Sequence, residues 1–160
     1  MPVILLHSRP GLHFPLLITD QVDIAEDKLQ LATESGADKV YNTTTLVVAD
    51  IEQVDATIVA SGAAPAYELA FKGTRNQGRI IAIGVPRNDI PVNVLHMIKR
   101  NLSLIATNQG TKQELAEALE IAASHNIKPS YEMRELDQIN YGFRDMLQGK
   151  IVGRLVYRMG

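Results

Sequence analysis

The pattern of apolar positions is clearest between Val54 and Gly84. Two short apolar runs, Ala56–Ala60 and Ile80–Ile83, lie on either side of a segment long enough for a helix that ends at Gly73. Neither run alternates apolar with polar positions, which is typical of parallel strands buried on both faces. The pattern therefore predicts one β-α-β unit.

The rest of the chain continues the alternation of strands and helices. Further strands are predicted at Val3–Leu6, Leu16–Thr19, Ala37–Asn42, Ile90–Val94, Leu102–Thr107, Tyr131–Arg134 and Ile151–Tyr157, and helices at Asp23–Glu34, Val94–Arg100, Thr111–His125 and Leu136–Leu147. Such alternation is typical of an α/β fold with a mainly parallel sheet. The length predicts a single domain, 1–160.

Turn residues follow both runs of the predicted β-α-β unit. Ser61 and Gly62 come after the first run, and Gly84 and Val85 come after the second. Ligands of parallel sheets bind beyond the carboxyl ends of the strands. The sequence therefore predicts a small-molecule cleft at this edge.

The first two predicted strands are too close together for parallel neighbours. Parallel neighbours need a crossover of about a dozen residues or more. The shorter stretch 7–15 contains Pro10, Gly11 and Pro15, so it is a poor helix. We therefore expect residues 1–22 to be an atypical segment and the fold to be abbreviated at its first βα unit.

Composition narrows the class of protein. The net charge of −2 gives no electrostatic reason to expect nucleic acid or an anionic membrane as a partner. The absence of cysteine excludes disulfides, thiolate zinc sites and a cysteine nucleophile. The histidines have no close metal-ligand spacing, so no zinc is expected. No apolar run reaches the roughly 18 residues of a membrane span, and a cytoplasmic protein is expected.

Several motifs in shared order resemble the cofactor-binding half of the medium-chain dehydrogenases, the family of zinc-dependent alcohol dehydrogenases. They are Val22–Leu29, Ser35–Asn42, Gly78–Pro86, Ile127–Pro129 and Gly149–Val156, and the resemblance covers Val22–Arg158. It implies a Rossmann-like, doubly wound fold. It also implies that residues 112–160 are the segment that packs on the family's catalytic domain, which this sequence lacks. The last two strands are then expected to pair with each other, with the N-terminal strand or across a homodimer.

The resemblance assigns positions around NAD. Asp23 resembles the acid that binds the adenosine ribose, and Lys28 the lysine beside it, with Asp23 favouring NAD over NADP. The other implied cofactor-binding residues are Ser61, Gly62, Gly84, Val85, Gly110 and Arg154. Ile90–Asn93 resembles the edge strand through which two such domains form a homodimer. Roles that involve no cofactor stay open for these residues: Asp23 as a helix N-cap, Lys28 and Arg154 as solvated side chains, and Gly62 and Gly84 as turn glycines.

One family feature is missing from the sequence. The glycine-rich turn that lets the pyrophosphate reach a helix N-terminus is replaced by His7–Gly11. We therefore expect NAD binding to be weakened. His7, Arg9 and His13 should lie at the old pyrophosphate position, where they could bind an anion or act as acid and base, or form a solvent-exposed loop.

Three functions follow as hypotheses. The first is an alcohol-dehydrogenase-like protein with a dinucleotide-binding-type domain, independent of zinc and not a self-sufficient dehydrogenase. The second is a cofactor-independent isomerase, cyclase or lyase that uses the vacated nicotinamide cleft. Its candidate residues are His7, Arg9, His13, Ser61, Asn108 and Gln109. The third is a non-catalytic interaction protein.

Overall fold

The computed structural model describes residues 3–8, 17–45, 52–107 and 109–160. The chain forms two compact units, Met1–Asn108 and Gln109–Gly160. No helix in the described ranges is long and apolar enough to cross a bilayer.

The described part of the first unit is a six-stranded sheet with helices. The strand order is β3-β2-β1-β4-β5-β6. The strands are β1 (Val3–Ser8), β2 (Leu17–Asp23), β3 (Lys39–Asn42), β4 (Val54–Val59), β5 (Thr74–Ala82) and β6 (Ser103–Ala106), and the helices are α1 (Glu26–Glu34), α2 (Ala64–Gly73) and α3 (Val94–Arg100). The predicted α/β class with a mainly parallel sheet is confirmed.

Strand β1 is the exception to the parallel arrangement. It pairs antiparallel with both neighbours, and Val3 lies opposite Val22 on β2 and Val59 on β4. The pairs β2-β3, β4-β5 and β5-β6 are parallel. The first two strands therefore form a hairpin, which explains why the stretch between them is too short for a crossover.

The helices α1 and α2 cover opposite faces of the sheet. The connection from β2 to β3 and the one from β4 to β5 run in opposite directions across the strand order. Because such crossovers are right-handed, their helices lie on opposite faces. The core lies under α2, and its fully or almost fully buried members are Val3, Leu5, Val22, Val54, Val59, Ala66, Tyr67, Leu69, Ala70 and Ile80.

Helix α3 holds the carboxyl end of α2. The Arg100 guanidinium donates hydrogen bonds to the carbonyl of Phe71 at 2.7 Å and to the carbonyl of Thr74. The last carbonyls of a helix have no partner within the helix, and a cation there also suits the helix dipole. Arg100 thereby fixes the turn into β5, one of the strands that carry the predicted cleft.

The segment Ile90–Asn93 differs from its prediction. It has no assigned secondary structure and leads directly into α3, whereas the sequence predicts an edge strand. Within the described sheet, β6 is the edge strand beside β5, and Ile90–Asn93 does not pair with it. Pairing of two copies through Ile90–Asn93 stays a prediction.

The second unit contains two helices and a small sheet within its described residues. These elements are α4 (Lys112–Ser124), β7 (Tyr131–Glu135), α5 (Ile139–Leu147) and β8 (Arg154–Arg158). Strands β7 and β8 pair in parallel, which is one of the three pairings that the sequence left open. Gly142 of α5 lies so close to this sheet that a Cβ atom would be 1.7 Å from the Tyr157 hydroxyl.

The predicted start of α4 is confirmed in detail. The Thr111 hydroxyl accepts from the Glu114 N–H at 3.2 Å, and the Glu114 carboxylate accepts from the Thr111 N–H at 2.6 Å. The pKa of Glu114 lies below its usual value because its charged form accepts this backbone hydrogen bond. The reciprocal pair is a capping box, with Thr111 as the N-cap and Glu114 three residues later.

Candidate functional site

Residues that follow three parallel strands meet at one edge of the sheet. Asp23 is the last residue of β2, Ser61 and Gly62 follow β4, and Gly84 and Val85 follow β5. Since β2, β4 and β5 point the same way, their carboxyl ends share an edge. The predicted positions are thus brought to one side of the first unit, which we call the carboxyl edge.

Two glycines let the loops at this edge touch. A Cβ atom on Gly84 would lie 2.4 Å from the Ser61 carbonyl carbon, and one on Gly62 would lie 2.2 Å from the Val85 oxygen. The Gly84 N–H also donates to the Val59 carbonyl at 2.9 Å. Both glycines therefore have the structural role left open by the sequence, and any part in cofactor binding stays a prediction.

Two clefts open beside these loops, and both are lined by Val85 and 87–90. One, of about 450 Å³, also contacts Gly62–Ala64. The other, of about 490 Å³, also contacts Tyr67 and Leu104. The Tyr67 hydroxyl donates to the Gly84 carbonyl at 3.2 Å, which fixes the wall of the second cleft. These volumes are in the range of small-molecule sites.

Asp23 is fully buried at the carboxyl edge. Its Oδ1 atom accepts from the N–H groups of Ile24 at 2.7 Å and Ala25 at 3.1 Å. It therefore orients the chain into α1, although the N-cap residue itself is Ala25. The exposed fraction of Asp23 is 0%, so a ribose hydroxyl can reach it only if its cover moves. The half-buried Lys28 lies in the first turn of α1, and the ribose roles of Asp23 and Lys28 stay predictions.

His7 lies at the opposite edge of the sheet. It pairs with Ile18 near the start of β2, and its neighbour Leu6 pairs with Ala56 near the start of β4. Five residues of strand, about 16 Å, separate Ala56 from Ser61. The prediction that His7 lies at the pyrophosphate position is wrong, because β1 runs against its neighbours. Three other candidates, Arg9, His13 and Asn108, lie outside the described residues.

A polar cluster missed by the sequence reading surrounds Asp20. Its Oδ2 atom is 3.3 Å from His7 Nε2 and accepts from the Tyr41 hydroxyl at 3.4 Å. Asp20 is only 1% exposed, and Oδ1 has no hydrogen-bond partner within the described ranges. Burial and the nearby Asp20 carboxylate raise the pKa of Tyr41. An aspartate directly after the apolar run Leu16–Thr19 was the signal that could have revealed this cluster.

We expect Asp20→Asn to raise the free energy of unfolding by about 1 kcal/mol. The substitution removes a buried charge that has two long contacts and one unpartnered oxygen, and burying a poorly compensated charge is costly. Urea unfolding at neutral pH, followed by circular dichroism, measures the change.

The matched control is Asp23→Asn on the same strand. Asp23 is also buried, but its carboxylate accepts two short backbone hydrogen bonds. Asparagine lacks the negative charge that strengthens these hydrogen bonds, so the free energy of unfolding should fall by about 1 kcal/mol. Equal destabilisation by both variants would contradict the account of Asp20.

The remaining predicted residues belong to the second unit. Gly110 immediately precedes the capping residue Thr111, and Gln109 precedes Gly110. Arg154 is the exposed first residue of β8, and its guanidinium contacts the Gly153 carbonyl at 3.4 Å. The cofactor roles of Gly110 and Arg154 stay predictions. Within the described ranges, no three His, Cys, Asp or Glu side chains form a group that could hold a metal ion.

Comparisons with known proteins point to one family. A family profile described as zinc-binding dehydrogenase matches residues 18–124. An alcohol dehydrogenase of Geobacillus stearothermophilus is 33% identical over 143 residues, which are 86% of this chain and 42% of that protein. This chain therefore spans less than half the length of that relative.

Solved structures agree on the fold. The alcohol dehydrogenase of the archaeon Aeropyrum pernix superposes with a TM-score of 0.79 at 23% identity, over 86% of this chain and 42% of that one. Acetophenone reductase of Geotrichum candidum, solved in complex with NAD, gives 0.77 at 24% identity, over 85% of this chain and 40% of that one. Both likenesses extend across the Rossmann-like fold.

Proposed function

This chain belongs to the zinc-binding dehydrogenase family, and from that premise we propose that its first unit binds NAD weakly at the carboxyl edge. The binding uses the cleft between the loops after β4 and β5. This binding lacks the family's contacts to the diphosphate. The chain alone does not oxidise alcohols. The proposal involves no zinc.

The reversed strand β1 carries this proposal. In Rossmann-type domains the first strand ends at the ligand edge, and the helix after it presents its N-terminus to the diphosphate. Here β1 ends at the opposite edge and is followed in the sheet by the antiparallel strand β2. Strand β1 therefore brings no helix N-terminus to the diphosphate at the carboxyl edge, so the affinity that such a helix N-terminus supplies is lost.

The cleft beside Gly62 supports binding of one nucleotide half. Its volume of about 450 Å³ suits a group the size of a mononucleotide. Arg87, Asn88 and Asp89 line it and offer a cation, an amide and a carboxylate. Gly62 contributes to the wall of this cleft, and its missing side chain serves the close contact with the Val85 loop rather than the ligand.

Bound NAD would supply the hydride acceptor, but hydride transfer also needs a positioned substrate. The part that this chain contributes is binding and orientation. Arg87 would contact a phosphate group, and the loop at Val85 would contact the ring of the bound nucleotide half. Substrate positioning is the part that the proposal leaves to another protein segment.

Isothermal titration with NADH and with reduced nicotinamide mononucleotide tests the proposal. We expect both to bind with Kd values of about 1 mM, within about tenfold of each other, because the second half of the dinucleotide adds little without the diphosphate grip. Binding of NADH at micromolar concentration would show an intact grip. No binding of either compound at about 10 mM would remove the cofactor site.

The variant Arg87→Ala tests whether the nucleotide binds in this cleft. An exposed cation that contacts a phosphate contributes up to about 1 kcal/mol, so the Kd should rise about threefold to fivefold. Lys72→Ala removes another exposed cation, in the last turn of α2, and should leave the Kd unchanged. Equal effects of both variants would indicate only a general influence of net charge.

A further inference from the structure

Asp23 is the residue to which the family resemblance assigns the choice between NAD and NADP. An acid makes this choice by accepting a hydrogen bond from the 2′-hydroxyl of the adenosine ribose and by repelling the 2′-phosphate of NADP. Both effects need a carboxylate that faces the ligand. Asp23 is instead fully enclosed, with an exposed fraction of 0%.

The chain itself uses the polar atoms of Asp23. The Oδ1 atom of its carboxylate accepts hydrogen bonds from the N–H groups of Ile24 at 2.7 Å and Ala25 at 3.1 Å. Its carbonyl oxygen accepts from the Thr43 N–H at 3.0 Å. Asp23 thus joins the end of β2 to the start of α1 and to the residue after β3. An acid with this task belongs to the scaffold rather than to the ligand surface.

Further hydrogen bonds hold the segments beside Asp23 together. The Glu26 carboxylate, in the first turn of α1, accepts from the side-chain amide of Asn42 at 2.9 Å. The side-chain oxygen of Asn42 in turn accepts from the Thr44 N–H at 2.9 Å. The start of α1 and the end of β3 therefore cannot separate around Asp23 without losing these bonds. Any further protein at this edge can only add to the cover of Asp23.

The charge of Asp23 is compensated where it lies. The N–H groups at the start of α1 carry partial positive charge, which offsets the carboxylate. The acids that solvent does reach near this point are Glu26 and Asp27, and the half-buried Lys28 follows them. Water and salt screen such exposed charges, so they discriminate weakly against a 2′-phosphate.

We propose that the nucleotide site of the first unit does not distinguish NADPH from NADH, because Asp23 serves the scaffold and not the ribose. The inference rests on the proposed weak binding of the dinucleotide at the carboxyl edge. It replaces the preference for NAD that the resemblance implies with acceptance of both dinucleotides. The phosphorylated cofactor is therefore a further ligand of this chain.

Isothermal titration with NADH and with NADPH, in one buffer of physiological ionic strength, tests the inference. We expect the two Kd values to agree within about twofold, whereas an acid that hydrogen-bonds the ribose would separate them by about tenfold or more. Binding of NADH at least about tenfold tighter than that of NADPH would overturn the inference and leave the proposed function standing. Absence of binding for both at about 10 mM would remove the proposed function and the inference with it.

Two variants that each remove one negative charge locate any preference. Asp23→Asn removes the buried carboxylate, and Glu26→Gln removes an exposed one while it keeps an oxygen that can accept from Asn42. Both should leave the ratio of the two Kd values within about twofold of that of the parent chain. A gain of about fivefold or more for NADPH alone, in either variant, would show an acid that reads the 2′ position and would overturn the inference.

Arg87→Ala is the control for a residue that the proposed function places against the ligand. It should weaken NADH and NADPH by the same factor of about threefold to fivefold, because the contacted phosphate is common to both. Weakening of NADPH alone would mean that Arg87 binds the 2′-phosphate and would overturn the inference. Circular dichroism verifies that Asp23→Asn is folded. If it is not, the Kd ratios of the parent chain and of Glu26→Gln decide.

Discussion

Gly84→Ala is expected to lower the free energy of unfolding of the first unit by about 3 kcal/mol. The new methyl group would lie 2.4 to 2.7 Å from backbone atoms of Ala60 and Ser61, which cannot rotate away as a flexible side chain could. The loops after β4 and β5 would have to separate. The hydrogen bond from the Gly84 N–H to the Val59 carbonyl would be strained in the process. Urea unfolding followed by circular dichroism measures the loss.

Gly73→Ala is the matched control. Gly73 is the last residue of α2, and a Cβ atom there would have no neighbour within 4 Å. Alanine restricts the unfolded chain and favours the helix, so stability should rise by about 0.5 kcal/mol. If Gly84→Ala were as harmless as Gly73→Ala, the close approach of the two loops would not exist in solution.

The sequence predicts the positions of most strands better than their directions. The runs at Ala56–Ala60 and Ile80–Ile83 identify β4 and β5 because burial on both faces requires continuous apolar residues. The same apolar pattern fits a strand of either direction. The run Val3–Leu6 therefore predicts the position of β1 but not that it runs antiparallel to its neighbours. The short stretch after His7 was the sign that the usual crossover could not form.

This ambiguity explains the misplaced part of the candidate site. Ser61, Gly62 and Gly84 follow strands whose direction is set by the β-α-β unit, so their common edge could be predicted. The position of His7 depends on the direction of β1, and the family resemblance supplied the wrong direction. Its contact with Asp20 is a long-range pairing between strands, which no local pattern shows.

The two faces of β4 illustrate a related limit. A fully apolar strand predicts that both of its faces are covered, but it does not say whether the cover comes from the same chain. Ile58 and Thr57 follow each other on β4, yet Thr57 is 0% exposed while Ile58 is half-buried. The difference arises because α2 covers the face of Thr57 and not that of Ile58, which is a property of the assembled fold.

Thr74→Val is expected to cost about 2 kcal/mol, whereas Thr57→Val should cost less than about 1 kcal/mol. Both threonines are fully buried, and their hydroxyl oxygens are 2.7 Å apart. The Thr74 hydroxyl donates its single hydrogen to the Ala70 carbonyl at 2.7 Å, so Thr57 must be the donor between the two. Removing Thr74 therefore leaves a buried donor without an acceptor, while removing Thr57 leaves the bond to Ala70 intact.

The double variant Thr57→Val/Thr74→Val separates this account from simple loss of packing. With both hydroxyls replaced by methyl groups of similar size, no unpartnered donor remains, so the double variant should be more stable than Thr74→Val alone. The coupling between the two sites should be about 1 kcal/mol, measured by urea unfolding of all four proteins. Additive losses would mean that the hydroxyls contribute independently and that the direction of the hydrogen bond inferred from Ala70 is wrong.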